Sequence, residues 1–188
     1  MMIKYYDKER ILKVCNHEAG HYIASKEMQF TTNGIKAFFN YPNGHSGESE
    51  VELWKSGLKS TNDLKSYIEN RIIVLYVGVM AESMQINGQY DELYALNEWK
   101  KGGGMIDHAK IRELTHVLRK VLFTETSEKS IAQEELDSID KLLFQKSFDF
   151  VKNHIGIIYQ IGNLLFEKVT MYHVEYLLTE EEIYQIIN

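Results

Sequence analysis

Five consecutive residues, His17-Glu18-Ala19-Gly20-His21, have the spacing of an H-E-x-x-H motif. Histidines four apart lie one above the other on a helix, so both imidazoles can reach one metal ion. Glu18 is turned about 100° from His17. It is too close in sequence to complete the ligand set, but well placed to touch a water on the metal's open side. Zinc lowers the pKa of such a water to about 7, and the glutamate takes its proton as the water attacks a carbonyl. The same zinc polarises that carbonyl and steadies the oxyanion. Random ordering of this composition gives about 0.03 such patterns, so a chance glutamate between two surface histidines is the minor alternative. A catalytic zinc takes three protein ligands. Spacing alone does not choose the third among Asp107, His108, Glu82, Glu98 and Glu113.

The motif needs a helix, and the flanking sequence predicts one. Asp7 is the expected N-cap of a helix to about Met28, with Ile11, Leu12, Cys15, Ala19, Tyr22 and Ile23 as its apolar stripe. Residues 33–53 read as a hairpin or two short strands: Ile35 to Phe39 is β-prone, Tyr41-Pro42-Asn43-Gly44 is turn chemistry, and Glu50 to Leu53 alternates. Ser60 and Asp63 have capping-box-like spacing and open a second helix towards Met84, ended by Asn87-Gly88. Its second half is apolar nearly all round, which predicts a central buried helix. Residues 89–104 read as a loop closing on a flexible Gly102-Gly103-Gly104. Further helices are expected from Met105 to about Phe123, from about Ser130 to His154, and from Gly156 to Lys168. Thr179 and Glu182 cap a last one to Ile187. The expected fold class is mainly α, an α+β arrangement with a small β element. One domain is expected, with a catalytic part over 1–125 and a helical part over 130–188.

Composition narrows the classes. The chain has 188 residues, 21 Lys+Arg against 27 Asp+Glu, and a net charge of −6, which argues against a nucleic-acid partner. Its single cysteine, Cys15, excludes an internal disulfide scaffold and suits a reducing cytoplasm. The longest apolar run, Ile72 to Ala81, is half of the roughly 20 residues that cross a bilayer. The N-terminus lacks the apolar centre of a signal peptide. Cys15 is expected to be a buried structural thiol, His45 a solvated turn residue ahead of the alternative that it helps bind substrate or an oxyanion, and His108, His116, His154 and His173 structural or exposed.

Several stretches together resemble the peptidase domain of the FtsH-type ATP-dependent zinc proteases. Asn16-His17-Glu18-Ala19-Gly20-His21-Tyr22 looks like that family's H-E-A-G-H-A stretch. Val77-Gly78-Val79-Met80-Ala81-Glu82-Ser83 resembles its G-G-R-A-A-E-E segment, with Gly88 following. Gly103 to Leu114 resembles its T-G-A-x-N-D-x-x-x-A-T-x-x-A segment, and Leu136 to Ile187 its helical tail. The resemblance implies Asp107 as third zinc ligand beside His17 and His21, Glu18 as general base, and Glu82 as a residue holding a ligand histidine. It also implies that the strand near Gly44 to Leu53 is an edge able to pair with an extended peptide. Val79 and Ile106 depart from the family's arginine and asparagine.

The expectation is therefore a zinc metallopeptidase for peptides or unfolded proteins. No G-x-x-x-x-G-K-S/T loop is present, so ATP-driven unfolding would need a separate ATPase partner; assembly of several copies is the other arrangement the resemblance suggests. The competing expectation is a zinc-binding regulatory or interaction module with little turnover. A third is an H-E-x-x-H protein of another kind, with Glu82 as third ligand.

Overall fold

The computed structural model describes residues 1–40, 44–52, 57–123 and 128–187. It is mainly helical, with one small antiparallel sheet, as the sequence predicts. The elements are α1 (Lys8–Glu27), β1 (Thr31–Asn40), β2 (Gly44–Glu52), α2 (Thr61–Ser83), α3 (Glu92–Lys101), α4 (Met105–Leu122), α5 (Lys129–Lys168), β3 (Glu175–Leu178) and α6 (Glu180–Ile187). The Tyr41-Pro42-Asn43 part of the expected turn and Leu53 lie outside the described residues.

α1 and α2 form the centre. His21 meets Val74 and His17 meets Glu82, so the two helices run antiparallel. α2 starts as its capping chemistry predicts: Ser60 Oγ accepts from the Asp63 amide at 3.1 Å, and Asp63 accepts from the Lys59 amide at 3.0 Å. From Ile72 to Ser83 every residue of α2 is buried, because α1, α4 and α5 all pack on it. The helix stops at Ser83, before the Asn87-Gly88 turn expected to end it; Met84 is already extended and bridges to Tyr90.

The sheet has the order β2-β1-β3. Ile35, Ala37 and Phe39 of β1 are buried, alternating with partly exposed neighbours, so this face meets the helices. Residues paired across antiparallel strands share a face. Gly47 is opposite Ala37 and His45 opposite Phe39, so both are turned towards the helices too. β3 was not expected from the sequence; Glu175–Leu178 is too short for its alternation to stand out, and it pairs with β1 over Ile35 to Phe38.

Three further expectations are corrected. Residues 89–104 are not a loop: Asp91 accepts from the Tyr94 amide at 2.9 Å and caps α3, which is seated by Ala95 and Trp99. Only those two residues of α3 are buried, so its apolar stripe is faint. The glycines that follow are a tight junction, where Gly103 N–H donates to Glu98 Oε2 at 2.7 Å. Residues 129–168 form one helix rather than two. A solvent-facing glycine such as Gly156 costs a helix about 1 kcal/mol, too little to break one packed along both α1 and α2. Asp7 precedes α1 but caps nothing with its side chain; it is buried and accepts a hydrogen bond from the Tyr172 hydroxyl. The Thr179–Glu182 box does form, with reciprocal bonds of 2.9 and 3.3 Å.

Candidate metal centre

His17 and His21 stand on the face of α1 that α2 covers, and α4 carries Asp107 in its first turn towards them. His17 Nε2 and His21 Nε2 are 2.9 Å apart, and each is 3.2 Å from Asp107 Oδ2. A tetrahedral ion held at about 2.0–2.1 Å has donor–donor edges of about 3.3 Å. The three edges here are close to that.

Protonation supports the same fit. His21 Nδ1 is 2.8 Å from the Val74 carbonyl, which can only accept, so Nδ1 carries the proton and a neutral His21 presents a lone pair at Nε2. His17 Nδ1 faces Glu82 Oε1 at 3.4 Å, longer than a formed hydrogen bond but oriented the same way. Two imidazole lone pairs and a carboxylate oxygen therefore converge on one point. They repel unless a proton or a cation lies among them. Burial disfavours the imidazolium of His17, but Glu82, Asp107 and Glu18 outweigh it and hold its pKa well above 6.5. Burial likewise opposes ionisation of Asp107, yet His21 and His17 keep its carboxyl well below the usual carboxylate range. Glu82 is pushed up by burial, with His17 pulling the other way.

Gly78 makes room for the centre. A Cβ there would lie 2.4 Å from His21 Cε1, 2.5 Å from His21 Nε2 and 2.8 Å from His17 Nε2. Glu18 is buried beside the histidines, and β2 passes directly over it: a Cβ on Gly47 would meet Glu18 Oε1 at 2.1 Å. The donors open into a cavity of about 980 Å³, bordered by β2, the Gly102–Gly103 junction and α4.

Of the five candidates for a third ligand, Asp107 alone brings a donor atom into the set. Glu82 stands behind His17, and Glu98 lines the cavity wall bonded to Gly103. His108 leans on Trp99, and Glu113 is exposed on α4. His116 is exposed, His154 stacks on Phe150, and His173 contacts Asn40. Cys15 is fully buried, and burial together with Glu18 pushes its thiol well up, as befits an inert packing residue.

His45 corrects the expectation of a solvated residue. It is half-buried in the cavity wall, and burial, with His17 and Arg10 adding to it, lowers its pKa. The turn expected at this point ends before it, and the register with Phe39 puts it inside. Arg71 and Arg10 also line the cavity and had no motif to mark them.

The ligand assignment predicts unequal losses. Asp107→Ala is expected to lose bound zinc almost entirely, whereas Glu82→Gln, which removes only an outer contact, should weaken affinity by about 10–100-fold. Zinc content after dialysis measures both. Protons and metal compete for His17, and its raised pKa brings that competition in above 6.5. Zinc affinity should therefore fall by up to about tenfold per pH unit on acidification, with the fall already under way above pH 6.5, read by titration against a chromophoric chelator.

No protein-family model matches this chain, and no curated protein matches it either. Among the described residues no helix is long and apolar enough to cross a membrane.

Proposed function

We propose that the chain is a zinc metallopeptidase that hydrolyses peptides or already unfolded proteins, akin to the FtsH-type peptidase domain its motifs resemble. One observation supports this above the others. Two histidines four apart and a carboxylate from a helix 90 positions away converge on one point, with a buried glutamate beside them in an open cavity.

His17, His21 and Asp107 would hold the ion, which when bound supplies Lewis-acid polarisation of the scissile carbonyl and acidifies water. The chain's own residues do the rest. Glu18 accepts the proton of the attacking water and returns it to the leaving amine, so the carboxylate ends the cycle unchanged. Val74 and Glu82 fix the rotation of the two imidazoles. β2 pairs with β1 along one edge, and its other edge suits an extended substrate held by main-chain hydrogen bonds. The proposed substrates are peptides or already unfolded proteins, with an ATPase as the proposed partner for folded ones. The cytoplasmic setting expected from the lone thiol belongs to this same reading.

The test is hydrolysis of an unfolded casein-like substrate by the zinc-loaded chain. Activity should vanish with a chelator and return with zinc. Stoichiometric zinc with no cleavage across a broad peptide library would instead favour the binding-module reading.

A further inference from the structure

A guanidinium without an acceptor stands at one end of the cleft. Arg71 lies on α2 three residues before Val74, whose carbonyl holds His21, and seven before Gly78 beneath the ligand nitrogens. Seven helical residues rise about 10 Å. Arg71 is half-buried and lines the cavity, yet it forms no hydrogen bond or ion pair among the described residues. The carboxylate that acts on it, Asp107, directs Oδ2 at the two histidines. Lys110, three residues after Asp107 on α4, is exposed on the rim of the same cavity and is likewise without an ion pair among the described residues.

The other end repeats the pattern. Arg10 precedes His17 by seven residues on α1, and its Nη2 is buried with no hydrogen-bond partner among the described residues. Because α1 and α2 are antiparallel, the two arginines fall about 10 Å to either side of the ligand set. Arginines withdrawn from water are ordinarily paired, and the guanidinium fork matches a carboxylate. The whole chain is acidic, with a net charge of −6, whereas the cleft is lined by Lys and Arg in the same number as Asp and Glu, with the arginines at its two ends.

Ten ångströms is about three residues of an extended peptide. We propose that Arg71 with Lys110 at one end, and Arg10 at the other, bind carboxylate side chains of the substrate within about three residues of the scissile bond. The preferred substrates are thus acidic peptide segments. This rests on the peptidase reading and adds the substrate class to it.

Binding to the zinc-loaded Glu18→Gln chain separates the two claims, since that variant holds substrate without consuming it. Short fluorescein-labelled peptides, identical except for Asp/Glu against Asn/Gln, are titrated by fluorescence anisotropy. The acidic peptide should bind about tenfold tighter at low salt, and the gap should shrink as salt rises. Arg71→Gln should bring the pair within about twofold, and Lys110→Glu, at an exposed site that leaves folding alone, should shift the ratio the same way. Equal binding of acidic and neutral peptides would overturn this proposal and leave the peptidase reading standing. A preference that survives both substitutions would overturn it as well. If no peptide binds at all, both readings fall.

Discussion

Glu18→Gln should cut turnover of an unfolded substrate by about 10²–10⁴-fold while leaving zinc stoichiometry unchanged. The separation follows from where Glu18 stands. It neighbours His17 in sequence but is rotated off the ligand edge, and among the described residues only His17, His21 and Asp107 bring donor atoms to the common point. Glutamine keeps the shape and burial of the side chain under Gly47 but cannot take a proton from water. Loss of rate with metal retained is therefore the signature of a base. Two measurements on one preparation check it, initial rate and bound zinc per chain. Full activity in the variant would end the assignment.

Gly78→Ala is expected to be nearly as severe, although residue 78 has no chemistry of its own. The added methyl would lie within 2.4–2.8 Å of both imidazoles. Neither ring can step aside freely, because Val74 holds His21 by Nδ1 and Glu82 faces His17 from behind. Either α2 moves off α1 or the rings leave their bearings. Overpacking of this kind costs about 1–3 kcal/mol, which at this chain length lowers the melting temperature by about 2–4 °C per kcal/mol. Displaced ligands should also weaken zinc binding by at least about 100-fold. Gly156→Ala is the contrast: a Cβ there meets nothing within 4 Å, so the helix should gain about 0.5–1 kcal/mol with zinc binding unchanged. Calorimetry with and without zinc on the two variants distinguishes a crowded metal centre from a general intolerance of substitution.

These residues also show what a sequence discloses. The two histidines and the glutamate between them are local, set by one helical repeat, and so are the caps at Ser60 and Thr179; all of them can be read from neighbours one to four apart. Asp107 lies 90 positions from His17, and spacing carries no information across that span. Among five candidate acids and histidines, only the packing of α4 on α2 selects it. α3 is hard to read in the sequence because a helix that buries just Ala95 and Trp99 leaves little periodicity. Gly156 looks like punctuation within α5, yet burial along α1 and α2 outweighs one glycine's propensity. His45 was misplaced for a subtler reason. Its side of the sheet is fixed by register with Phe39, and a one-residue slip would have turned it to solvent.

The convergence of α1 and α4 on one point has a topological consequence. An ion bound there is a cross-link between positions 17 and 107, closing a loop of 90 residues that contains the sheet's two long strands, α2 and α3. Tying so long a loop removes freedom mainly from the unfolded chain, as a disulfide does. Occupancy then feeds directly into folding: free zinc at a hundred times its dissociation constant adds about 2.7 kcal/mol, and each further tenfold about 1.4. In a chain whose only cysteine is buried and unpaired, an ion held by His17, His21 and Asp107 would be a long-range staple, and a reversible one.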